Sequence, residues 1–157
     1  MTTGGGPAAQ RVDASCTTPV GGVTFSTIHE GDSACFVVRI SDEMVRQFAE
    51  LTGDRTPVHM DPEFARETVF EGLIVHGMLE NALFSRLVGM ELTGGNGFCI
   101  SQQTRFLLPI RPNTEVTVQG RVRSKSEATR TVTIETQLLD SDGRVAVEGS
   151  VVAMVLK

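Results

Sequence analysis

Through most of its second half the chain alternates apolar and polar residues. FCISQQTRFLLPI (98–110), TEVTVQGRVRSKSE (114–127), TRTVTIETQLLD (129–140) and RVAVEGSVVAMVL (144–156) follow a period of two, with breaks at Pro112-Asn113 and Asp142-Gly143. The pattern predicts four consecutive strands. Two more are expected near the start: VTFSTI (23–28) and, after a turn at Glu30-Gly31-Asp32, ACFVVRI (34–40).

Between these groups the period changes. In SDEMVRQFAELTG (41–53), Val45, Phe48 and Leu51 recur at helical spacing. Ser41 suits the N-cap, Asp42 and Glu43 the positive end of the dipole, and Gly53 the C-cap. Asp61-Pro62 opens a short helix to about Glu67. From Gly77 to about Met90 the chain reads as a longer helix, with Leu79, Leu83, Phe84, Leu87 and Val88 around much of its circumference. A helix so apolar needs cover on most sides. The order predicts an α+β domain in which a curved antiparallel sheet wraps around one central buried helix, the hotdog architecture.

Composition narrows the class. At 157 residues, 40% hydrophobic and 21% charged, the chain suits one domain with its own core. Residues 1–20, rich in Gly, Thr, Pro and Ala and without periodicity, read as a flexible tail, leaving 21–157 as the domain. A net charge of −5 argues against nucleic-acid binding. No signal peptide and no membrane-spanning run is visible. Cys16, Cys35 and Cys99 form no CxxC; three scattered reduced thiols suit a cytoplasmic chain.

The stretch TGDRTPVHMD (52–61) sets Asp54 and His59 five residues apart, in a segment that Pro57 is expected to keep extended. A carboxylate and an imidazole on one short loop can both contact a single water and move its protons. The plainer account has Asp54 bonding within the loop and His59 solvated. A third element follows: His76-Gly77 opens the buried helix, where a free N–H can polarise a carbonyl oxygen and glycine lets a ligand approach.

The pattern F-A-x-L-T-G-D-x-x-P-V-H-x-D (48–61), followed by I-V-H-G-M-L (74–79), resembles the MaoC-like, R-specific enoyl-CoA hydratase family from about residue 25 onward. The resemblance implies a hydratase or dehydratase of acyl thioesters, carried by CoA or by an acyl carrier protein, with no metal or redox cofactor. Asp54 and His59 fall on the family's catalytic pair, Gly77 on the glycine whose N–H holds the thioester carbonyl, and Ser85 on a serine lining the site. Thr56 stands where the family usually has Asn, offering fewer hydrogen-bond positions to fix the loop. His76 and Thr56 are expected beside the substrate.

Three other readings are open. Glu80, a first-turn acid on an apolar helix, could direct water at a thioester carbonyl, as in a hotdog thioesterase. An idle acyl-binding subunit would explain Thr56. His59, Asp61 and His76 make a weak metal pattern. Arg105, Arg111, Arg121, Arg123 and Arg130 read as a solvated sheet face. Six strands leave two edges, and the long apolar terminal strand, as an edge, predicts a homodimer.

Overall fold

The computed structural model describes residues 23–157, so the expected tail over 1–20 lies outside the described residues. Five strands form: β1 (Ser33–Ile40), β2 (Gly97–Phe106), β3 (Thr114–Ser126), β4 (Thr131–Leu139) and β5 (Val145–Val155). They pair antiparallel in the order β1-β3-β4-β5-β2.

Two expectations change here. VTFSTI is no strand; Phe25–Thr27 is a turn of 3₁₀ helix, with Val23, Phe25 and Ile28 buried. Thr27 Oγ1 both accepts from Thr24 N–H and donates to Thr24 O, at 3.0 Å each, so side-chain bonds satisfy backbone groups that a ladder would need. The terminal strand is also not an edge. β5 lies between β4 and β2, and the edges are β1 and β2.

Four helical segments connect β1 to β2: α1 (Asp42–Thr52), α2 (Pro57–Met60), α3 (Pro62–Arg66) and α4 (Gly77–Arg86). The chain continues from α4 as a π-helical turn, Leu87–Leu92, so the long helix runs slightly past the predicted end. Ser41 caps α1 by accepting from Met44 N–H at 3.2 Å. The stretch 56–59, expected to be extended, instead contains α2: Thr56 keeps a non-helical backbone, and Pro57, whose fixed φ suits the first helical position, starts the turn.

A row of small residues explains how α4 lies on the sheet. Ala34, Gly120, Thr136, Gly149 and Thr104 are successive cross-strand partners from β1 to β2, so they share one face. A Cβ on Gly120 would stand 2.9 Å from Leu87 Cδ2, and Thr104 Oγ1 donates to Asn81 Oδ1 at 2.6 Å. That face is the one on which the helix rests. α4 and its continuation bury Leu79, Glu80, Phe84, Leu87 and Val88 against it. Met78, Ala82 and Ser85 face outward, so the helix, expected to be covered on most sides, is open on one.

The thiols also depart from expectation. Cys99 is free and exposed, whereas Cys35 is disulfide-bonded. No helix among the described residues is long and apolar enough to cross a membrane.

Glu80 is the anomaly of the core. It is only 3% exposed, and burial pushes its carboxyl from 4.5 up to about 8. The folded state therefore keeps a proton that the unfolded chain releases. This contribution to stability is whole below pH 4.5 and is lost as pH rises toward about 8. The slope is roughly 1.4 kcal/mol per pH unit at most. Glu80→Gln removes the titration, so its Tm should gain on wild type as pH is raised from acid to 8. Parallel Tm curves across that range would remove the assignment.

Candidate active site

The helix α1 ends where Gly53 takes a left-handed backbone, φ 78°, its N–H bonding Ala49 O at 2.9 Å. That reversal delivers Asp54 to the surface, exposed. Its Oδ1 accepts two bonds from Thr56, from the backbone N–H at 3.1 Å and from Oγ1 at 2.6 Å. These bonds, the hydroxyl's first, hold the carboxyl below the usual aspartate range. Threonine therefore fixes the acid directly, through both its hydroxyl and its backbone N–H. Oδ1 is committed and Oδ2 is left open.

His59 stands on α2. Its Nδ1 bonds Ile74 O at 2.9 Å, and a carbonyl only accepts, so Nδ1 carries the proton. Burial, more than any neighbour, holds the imidazole below its ordinary pKa, so at neutral pH Nε2 presents a lone pair. Ile74 N–H returns a bond to Val58 O at 3.3 Å, pinning α2 to the approach of α4.

His76, the N-cap residue of α4, is 1% exposed. Its Nε2 donates to Asp54 O at 3.0 Å, while its ring stacks on His59 with centroids 4.0 Å apart and meets Phe48 at 5.1 Å. Nδ1 is sealed without a partner. His76 thus ties the start of α4 to the Asp54 loop rather than facing an open cleft.

Asp54, His59 and His76 bring one polar atom each to within 4.8 Å of one another. Such a trio invites a metal, but the ring geometry does not fit one. An ion must lie near the plane of each imidazole it binds, and the stacked rings are tilted by only 28°, so their planes do not converge near the nitrogens. Asp61, the other acid of the sequence-level metal pattern, is occupied as the cap of α3, accepting from Glu63 and Phe64 N–H. One water fits better, since it can donate to Asp54 and His59 together across this separation.

The N–H of Gly77 opens α4 and makes no bond among the described residues; the His76 carbonyl serves Leu79 and Glu80 instead. A Cβ at Gly77 would come within 2.9 Å of the Phe106 ring, so only glycine leaves room there. Ser85, two turns on, is exposed on the outward face of α4. Glu80 turns to the opposite, sheet-facing side.

Three features had no sequence signal: the link from His76 to Asp54, the Phe106 ring over Gly77, and the hold of Arg111 on the loop before α4. Arg111 donates to Gly72 O at 2.7 Å, Leu73 O at 3.0 Å and Phe70 O. Read as one of a solvated set, it is a clamp that orders the entry to His76-Gly77. Arg105 and Arg123 do lie on the sheet face, paired with Glu148 and Glu135.

The family model described as "MaoC like domain" matches residues 26–142. The chain is 36% identical over 130 residues to the (R)-specific enoyl-CoA hydratase of Aeromonas caviae, covering 83% of this chain and 97% of that one. The solved structure of the A. caviae (R)-hydratase involved in PHA biosynthesis superimposes with a TM-score of 0.79, at 36% identity, covering 82% and 98% of the two chains. R-hydratase PhaJ1 from Pseudomonas aeruginosa, in its unliganded form, gives 0.81 at 28% identity, covering 86% of each. With that match over most of its length, and the hotdog fold shared with these hydratases, the chain belongs to the MaoC-like dehydratase family.

Proposed function

We propose that the chain is a hydro-lyase that reversibly adds water to a trans-2-enoyl thioester, giving the (R)-3-hydroxyacyl thioester of CoA or of an acyl carrier protein. The observation that carries this reading is the open pair itself. Oδ2 of Asp54 and Nε2 of His59 are both acceptors left free by bonds made elsewhere, and the two residues bring ligand atoms within 4.8 Å of one another, close enough to share one water. The water oxygen attacks the β-carbon while one of its protons passes to the pair, and a proton is delivered to the α-carbon. The two groups form one coupled unit in that transfer. The Gly77 N–H supports the charge that develops on the thioester carbonyl oxygen. Similarity to the (R)-specific enoyl-CoA hydratases supports both the substrate class and the hand. Glu80, buried and held protonated at neutral pH by that burial, is not the ionised acid that would direct water at a thioester carbonyl, which counts against the thioesterase reading.

The chain acts as a homodimer in this reading. β2 is an edge strand carrying Phe98 (60% exposed), Ile100 (50%) and Phe106 (50%), and Met78 (60%) stands on the open face of α4. A two-fold partner would cover both surfaces.

Asp54→Asn and His59→Gln should each lower hydration of crotonyl-CoA by roughly 100- to 10,000-fold, read as loss of enoyl-thioester absorbance. Near-wild-type turnover in Asp54→Asn would sink the assignment. Thr56→Val removes the hydroxyl donor, so the Asp54 carboxyl should titrate higher and the acid limb of kcat/KM should move to higher pH, with Thr56→Ser restoring it. An acid limb unmoved in Thr56→Val would show that the hydroxyl does not tune the base. Light scattering coupled to size exclusion should give the mass of two chains; a fully active single chain would exclude the dimer as a requirement.

A further inference from the structure

Glu80 has no part in the chemistry above, and its position makes that conspicuous. In a helix each side chain leans toward the N-terminus, so Glu80 and Asn81, three and four residues after Gly77, lean over the turn that Gly77 begins. Both carry uncommitted polar groups. The Glu80 carboxyl makes no hydrogen bond among the described residues, although the residue is only 3% exposed. Neither of its oxygens is among the sealed, unpartnered atoms of the core, so the carboxyl keeps part of the little surface that Glu80 has. Asn81 uses Oδ1 to accept from Gln102 Nε2 at 2.7 Å and Thr104 Oγ1 at 2.6 Å, which turns its amide nitrogen away from both.

Below lies the row of small residues. α4 crosses it from Thr104, under Asn81, to Gly120, under Leu87, passing over Gly149 and Thr136. This stretch of sheet offers the carboxyl little bulk, and its hydroxyl, Thr136 Oγ1, is itself unpartnered.

Buried polar groups in proteins are almost always paired, and an unpaired one costs stability. An alkyl acyl chain could not pair Glu80. An oxygen function on that chain could.

We propose that Glu80 is a specificity-determining residue, and that the thioester this chain prefers bears a hydroxyl or keto group beyond its reacting carbons, bonded by the Glu80 carboxyl with the Asn81 amide beside it. The placement of the acyl chain rests on the hydratase reading, which sets the thioester carbonyl at Gly77. The group on the substrate is a neutral one, because burial keeps Glu80 protonated at neutral pH, able to donate as well as accept. An ionised acid would have suited an amine.

Binding of saturated ligands tests this without turnover. By calorimetry, wild type should bind 5-hydroxyhexanoyl-CoA and 5-oxohexanoyl-CoA roughly tenfold or more tighter than hexanoyl-CoA. Glu80→Leu should abolish or reverse that preference, and Glu80→Gln, which keeps a donor and an acceptor, should retain most of it. Equal affinities in the wild-type protein, or an undiminished preference in Glu80→Leu, would overturn the proposal. Hydration of trans-2-hexenoyl-CoA is measured alongside. Hydration without a binding preference sinks the role of Glu80 and leaves the hydratase reading standing; a binding preference without hydration does the reverse.

Discussion

The site depends on one bond that crosses between two parts of the chain: His76 Nε2 to the carbonyl of Asp54. Asp54 comes off the end of α1, and His76 caps α4, 22 residues later. Nothing in α1 alone dictates where an exposed aspartate should stand relative to the first N–H of α4. A buried imidazole with one donor committed settles it, and the same ring forms the floor on which His59 stacks. Its position at 1% exposure makes the bond strong by excluding competing water. Asp54, His59 and the Gly77 amide thus share one frame, the preorganisation that the proposed chemistry would need.

Two carboxyls near the start of α4 are driven in opposite directions. Asp54 is exposed and accepts two bonds from Thr56, which favours its ionised form. Glu80 is buried and unbonded, which favours its neutral form. Environments that separate like groups in this way commonly divide labour within a site. Here the division is between a group suited to take a proton from water and one suited to hold a neutral oxygen. Thr56 belongs to the same logic. Its hydroxyl is short enough to reach back two residues to Asp54.

Most of the sheet was legible because alternation and turn residues reflect local geometry. β3, β4 and β5 fall within the segments read from sequence, and α1 starts and ends at its read caps. VTFSTI misled because its threonines bond their own backbone, a choice that β-propensity does not register. The place of β5 inside the sheet was hidden for another reason: strand order comes from pairing partners distant in sequence, and an apolar run suits a central strand as well as an edge. In the site, Asp54, His59 and Gly77 could be named from residue type and motif. The service of Thr56 to Asp54 and of His76 to the loop could not, since each depends on an angle or a distance that no spacing fixes.

The outward side of α4 joins the remaining observations. An isolated subunit leaves Met78, Ala82 and Ser85 uncovered beside the β2 edge, and Phe106, at the end of that strand, is the ring packed over Gly77. Half of Phe106 is nevertheless exposed. Whatever covers the β2 edge therefore sets how far that ring can move from the Gly77 amide. Phe98 and Ile100 on the same strand are too apolar to be left to water without cost. In the proposed dimer, covering the edge would also fix the ring over the Gly77 amide, whereas Asp54 and His59, tied by His76 and Ile74, are already held within a single chain.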